Sequence, residues 1–131
     1  MVSADLDITI GDTFWSPRWA IVLGGAAVDL AAGWSVRAQV RQRPDAGEVL
    51  YTFDPSDTEI TTVSVQVGGV ATDTSAVRLY IPATVTETFE PWSGAWDLEL
   101  ANTELGPGET LYRKTVLGGR ARARQDVTRG Q

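Results

Sequence analysis

Residues 34–41 read WSVRAQVR. Trp34, Val36, Ala38 and Val40 occupy every second position, with Ser35, Arg37, Gln39 and Arg41 between them. Successive side chains of an extended chain point to opposite faces, so this alternation predicts a strand with its apolar side inward and its polar side in water. A helix would need apolar residues every three or four positions. Outward from this stretch the same period recurs. In AWDLEL, Trp96, Leu98 and Leu100 face inward and Asp97 and Glu99 outward; in AVRLYI the inward set is Val77, Leu79 and Ile81. DITI, EVLYTF and ITTVSVQV carry enough β-branched and aromatic residues to be further strands.

Turn-forming clusters punctuate these runs: RPDAG at 43–47, DPSD at 54–57, VGG at 67–69, LGPGE at 105–109 and LGG at 117–119. Short strands at such spacing predict an all-β fold, an antiparallel immunoglobulin-like (Ig-like) β-sandwich of about 7–9 strands. One short helix is expected within PATVTETFE, Pro82 to Glu90, because its leading proline suits a first helical turn. VLGGAAVDLAAG, residues 22–33, reads as an irregular connection. At 131 residues the chain is expected to form one domain over 1–131, with 126–131 fraying.

The chain has no cysteine and no histidine, and its formal charge is -6. Disulfides, thiolate nucleophiles, Cys-ligated zinc, imidazole metal sites and His-based hydrolytic triads are therefore excluded. The net charge repels phosphate backbones and anionic lipid, so neither nucleic acid nor membrane is an expected partner. The longest apolar run is broken by Asp29 and two glycines, short of the ~20 residues of a membrane span. The acidic start MVSADLDITIGD does not read as a secretory signal, so synthesis in the cytosol is expected.

The closing stretch GGRARARQDVTRGQ places Ala121, Ala123, Gln125 and Val127 on one strand face and Arg120, Arg122 and Arg124 on the other. The leading reading is a solvated or cross-strand-paired face, with Asp97 and Glu99 of the neighbouring outer stripe as natural partners. A protein–protein contact is second. Nucleic-acid binding is last, since no aromatic residues interleave with the arginines. In FDPSDTEI, Asp54, Asp57 and Glu59 lack the glycine and distal glutamate of a calcium hand and read as a turn held by Asx hydrogen bonds. GDTFWSPRW clusters Phe14, Trp15 and Trp19 around Pro17 and Arg18. Trp34 and Trp96, on alternating strands, belong to the core. For Trp15 and Trp19 two readings stand, a cap on the core or a contact surface.

Taken in order, DITIGDTF, DLAAGWSVRAQVR, VRLYIPATVTETF, WSGAWDLELAN and GGRARARQDVTR resemble small β-sandwich proteins of tailed bacteriophages. That family includes minor tail proteins and the N-terminal attachment domains of baseplate and fibre proteins. Gly33, Trp34, Arg37, Ala38, Arg41, Trp96, Asp97, Leu98, Asp126, Val127, Thr128 and Arg129 carry the resemblance, which spans nearly the whole chain. The long Val- and Thr-rich segment from Thr58 to Thr74 departs from it. The resemblance implies a virion structural protein, in the tail or baseplate or decorating the capsid, whose partners are other virion proteins and repeated copies of itself. On this reading there is no enzymatic activity, cofactor or metal, and the contact residues are Trp15, Arg18, Trp19, Arg120, Arg122 and Arg124. Edge strands offer a second route to partners. The alternative is a carbohydrate-binding module that recognises host-surface glycans through exposed tryptophans.

Overall fold

Alternation along the chain resolves into two packed sheets. The computed structural model describes residues 2–31, 33–43, 46–102 and 112–125. The strands are β1 (Val2–Ser3), β2 (Leu6–Ile10), β3 (Phe14–Trp15), β4 (Trp19–Ala20), β5 (Val22–Leu23), β6 (Ala26–Ala27), β7 (Trp34–Arg43), β8 (Ala46–Thr52), β9 (Thr58–Val67), β10 (Val70–Ile81), β11 (Trp92–Asn102) and β12 (Tyr112–Gln125). A 3-10 turn at Pro55–Asp57 links β8 to β9, and one helical turn, α1 (Ala83–Thr86), links β10 to β11.

The first sheet runs β8-β7-β11-β12, all antiparallel, and β12 then takes both β1 and β2 in parallel. In the second, β10 pairs with β9 on one side and with β3 and β4 on the other. The order β12-β11-β7-β8 over β4-β10-β9 is the G-F-C-C′ over B-E-D arrangement of an immunoglobulin-like sandwich. The all-β expectation holds, with more strand segments than predicted. Among the described residues seven strands have five or more residues, and five are two-residue pairings. The parallel pairs at the β12 edge also depart from a purely antiparallel fold.

The predicted phases are observed. Ala38 and Val40 of β7, Val77, Leu79 and Ile81 of β10, Trp96, Leu98 and Leu100 of β11, and Ala121 and Ala123 of β12 are buried between the sheets with Leu6 and Ile8 of β2. Trp96 links the layers. Its indole stacks on Trp19 of β4 at 5.4 Å between ring centroids, and its Nε1–H donates to the Ala4 carbonyl at 2.7 Å. A tryptophan buried to this degree removes on the order of 200 Å² from water, worth roughly 5 kcal/mol at about 25 cal/mol per Å².

Several expectations are corrected. LGG at 117–119 is not a turn but the middle of β12. Its glycine serves close approach: a Cβ on Gly119 would fall on the Ala4 carbonyl, where the chain crosses from β1 to β2. Gln125, predicted inward, is exposed at the end of its strand. Residues 22–33 are more regular than expected, since β5 and β6 form a small hairpin. That segment is tied to β10 by Thr74 and Ser75, whose hydroxyls accept from the N–H groups of Val28 and Leu30. The turn expected at 105–109 and the fraying expected at 126–131 lie outside the described residues, as do Val127 and the Asp126–Arg129 part of the phage-like pattern.

Gly119→Ala is expected to lower unfolding stability by about 1–3 kcal/mol, because the added methyl must displace the Ala4 carbonyl and with it the Trp96 hydrogen bond. Urea denaturation followed by tryptophan fluorescence measures the loss.

Candidate functional site

The aromatic cluster around Pro17 divides between the two faces of the second sheet. Residues four apart in a regular strand share a face, but Pro17 has no N–H and the strand breaks there into β3 and β4. Ser16 fills the break. Its N–H donates to the Leu79 carbonyl at 2.9 Å, and its buried hydroxyl accepts from the Leu79 N–H at 2.8 Å. Across the break Trp15 lies opposite Tyr80 and Trp19 opposite Val77. Trp19 is thus half-buried over Trp96 and belongs to the core, whereas Trp15 remains 48% exposed on the outer face.

Trp15 is held by its neighbours. Its ring centroid lies 4.3 Å from that of Tyr80, and the Arg78 guanidinium carbon sits 3.9 Å from the Trp15 ring centroid. Arg78 and Glu59 are cross-strand partners and form an ion pair at 3.0 Å; Arg18 reaches the other oxygen of Glu59 at 3.2 Å. The hydrogen bond from Arg78 is the main influence that lowers the Glu59 carboxyl below its ordinary value, aided by Arg18 and opposed by partial desolvation. Trp15, Tyr80, Arg78, Glu59 and Arg18 therefore form one ordered patch. The AVRLYI alternation already places Arg78 and Tyr80 outward, which is the signal that could have found them.

The arginine stripe projects from the outer face of the first sheet as predicted, but its partners differ. In the β11–β12 register Arg120 faces Ala95 and Arg122 faces Ser93, while Asp97 and Glu99 face Gly118 and Thr115. The acidic partner comes from β2, on the other side of β12. Asp7 accepts from Arg122 at 3.3 Å and from Arg124 at 3.0 Å. Desolvation pushes the Asp7 carboxyl upward, but the two arginines outweigh it and hold the group below its ordinary value. Asp5 accepts the Arg120 backbone N–H at 3.1 Å, and the Arg120 guanidinium makes no ion pair among the described residues.

Small residues at the centre of this face leave a trough. Ala95 has Arg120 on one side and Arg41 of β7 on the other. Arg41, Arg43 and Arg120 line an open cavity of about 800 Å³ with Ser93, Ala95 and Gly118, and Asp5 and Asp97 also contribute to its walls. Arg41 donates to Gln39 at 3.0 Å, and Arg43 makes no ion pair among the described residues. A side chain larger than alanine at position 95 would occupy the space between the arginines. Sequence reading found Arg120 but not Arg41 and Arg43, because their convergence depends on which strands become neighbours.

The carboxylates at 54–59 separate. Asp54 accepts from the Ser56 N–H at 2.9 Å and caps the 3-10 turn, as the Asx reading predicts, while Glu59 turns to the arginines. Among the described residues no three His, Cys, Asp or Glu side chains gather as a metal site, and no helix is long and apolar enough to cross a membrane. Compared with family models and with curated proteins, the sequence matches none.

The Asp7 pairing carries a pH signature. Its folded pKa lies below the unfolded value, so its contribution is fully present above the ordinary 3.8 and is lost as pH falls through the folded value. Exposed pairs of this kind are worth about 0.2–1 kcal/mol after solvent screening. Asp7→Asn should therefore be slightly less stable at neutral pH and lose less stability on acidification than the native chain. Thermal melts at neutral pH and below the carboxylate range measure both differences.

Proposed function

We propose that the chain is a structural protein of a bacteriophage particle, a minor tail or baseplate component or a capsid decoration, which acts by docking its outer faces against neighbouring subunits. The observation that carries the docking reading is the pair Arg41 and Arg120 across Ala95, with Arg43 beside them in the same trough. Guanidinium groups beside a floor of small side chains suit an acidic segment of a neighbouring protein, because a carboxylate can be met by two arginine donors in a shallow, accessible site. The assignment to a phage particle rests on the order of motifs. Two of those, with Trp34, Arg37, Ala38 and Arg41 on β7 and Trp96, Asp97 and Leu98 on β11, lie on adjacent strands.

The patch around Trp15 supplies a second contact surface on the opposite side of the sandwich. Its indole already packs against Tyr80 and Arg78, which suits a preorganised protein contact better than an open platform for a sugar ring.

Arg120→Glu should reduce incorporation of the chain into particles at least tenfold, while the melting temperature of the isolated domain changes little, because the guanidinium is not part of the Asp7 pairing. Complementation in the phage's host followed by gradient sedimentation measures incorporation. Unchanged incorporation, or a fall that only follows unfolding, would remove the trough as a docking surface.

A further inference from the structure

The second sheet ends on β9, whose far edge is paired with no other described strand. Gly68 and Gly69, with φ of 59° and 81°, form the two-residue turn that joins β9 to β10. Positive φ at both positions is the type I′ hairpin geometry, which makes Val67 and Val70 a hydrogen-bonded pair. The odd-numbered residues of β9 therefore direct their N–H and C=O groups toward β10. Thr58, Ile60, Thr62, Ser64 and Gln66 direct theirs away from β10. The Thr58 N–H is already taken by the Pro55 carbonyl, so Ile60, Thr62, Ser64 and Gln66 are the four that present theirs at the open edge.

This edge lacks the protection that the other edges carry. The β7–β8 register is broken by irregularities at Val40, Arg41 and Arg43, and β2 is a five-residue strand bearing Asp7. The β9–β10 register, in contrast, runs unbroken from Thr58 to Val67. The strand TEITTVSVQV contains no proline and no lysine, and its one charge, Glu59, is held within the chain by Arg18 and Arg78. Long, flat, uncharged edges are templates for strand addition. Among the described residues, β10 pairs only with β9 from Val70 to Asp73, so the hairpin extends beyond the rest of the described sheet as two strands. Val63, Val65, Val67 and Val70 share one face of that ribbon, and Val70 is 65% exposed. A two-stranded ribbon is marginal by itself in water.

We infer that the open edge of β9 pairs antiparallel with β9 of a second copy of the chain, about a two-fold axis at Val63. The edge-directed residues 60, 62, 64 and 66 are centred on 63, so this register alone lets all four meet their counterparts. Ile60 then lies opposite the partner's Gln66 and Thr62 opposite the partner's Ser64. The hydroxyl pair is favourable across strands. Charge selects the same occupant and direction. A neutral strand calls for a neutral partner, which the copy supplies. The antiparallel arrangement sends the two Glu59 side chains to opposite ends, whereas a parallel one would set them side by side. The valine stripes of the two copies then meet at Val63 and form one apolar band across the joined sheet. This pairing is independent of the arginine trough and of the assignment to a phage particle.

The absence of cysteine makes the test clean, since Val63→Cys introduces one thiol per chain. Residues on the axis form a non-hydrogen-bonded pair with Cα atoms about 4.5 Å apart, within the reach of a disulfide. The native chain should sediment as a dimer at micromolar concentration, and Val63→Cys should give a disulfide-linked dimer on mild oxidation while Gln66→Cys gives little. Ser64→Pro removes only an edge-directed N–H and should weaken the dimer about a hundredfold or more while the monomer keeps its β circular dichroism. Ser64→Lys provides the same block without a backbone change. A native chain that stays monomeric, a dimer that survives both Ser64 variants, or equal cross-linking at positions 63 and 66 would overturn the inference.

Discussion

The sandwich depends on Trp96. Its ring spans the gap between the sheets to stack on Trp19, and its N–H reaches the Ala4 carbonyl, so one side chain joins β11, β4 and the N-terminal segment. That carbonyl can approach only because position 119 has no side chain. The parallel pairing of β1 and β2 with β12 follows from the same crossing, and it brings Asp5 and Asp7 beside the arginine stripe. A partly buried polar contact thus determines where surface charges meet.

The two outer faces treat their cations differently. On the second sheet Arg18 and Arg78 converge on one carboxylate, and Trp15 packs on the result. On the first sheet Arg122 and Arg124 share Asp7, while Arg120 and Arg43 make no ion pair among the described residues. Exposed ion pairs add little stability, and their larger effect here is to decide which cations remain available. An acidic chain that keeps arginines over a floor of alanine, serine and glycine has a local surface opposite in sign to its total charge.

Strand phase was legible wherever the period of two was unbroken. WSVRAQVR, AWDLEL, AVRLYI and the alanines of RARAR all turn the predicted sides inward. Reading failed where a residue type has two uses. Glycines at 117–119 resemble a turn, but one of them admits a crossing backbone. Trp15 and Trp19 resemble a single cluster, but the proline break sends them to opposite faces of their sheet. Asp97 and Glu99 resemble the natural partners of the arginines, but the register carries them past the stripe to Gly118 and Thr115.

From the sequence by itself came the fold class, the inward and outward sides of β7, β10, β11 and β12, the exclusion of cysteine and histidine chemistry, and the outward direction of Arg120, Arg122 and Arg124. Those properties depend on backbone geometry and residue type alone. Only the tertiary structure decided which strands are neighbours, and therefore that Asp7 pairs with the stripe, that Arg41 and Arg43 join Arg120 around one trough, and that β9 is left at an edge. Alternation states which way a side chain points; pairing and register, set by contacts between residues far apart in the chain, state what it meets.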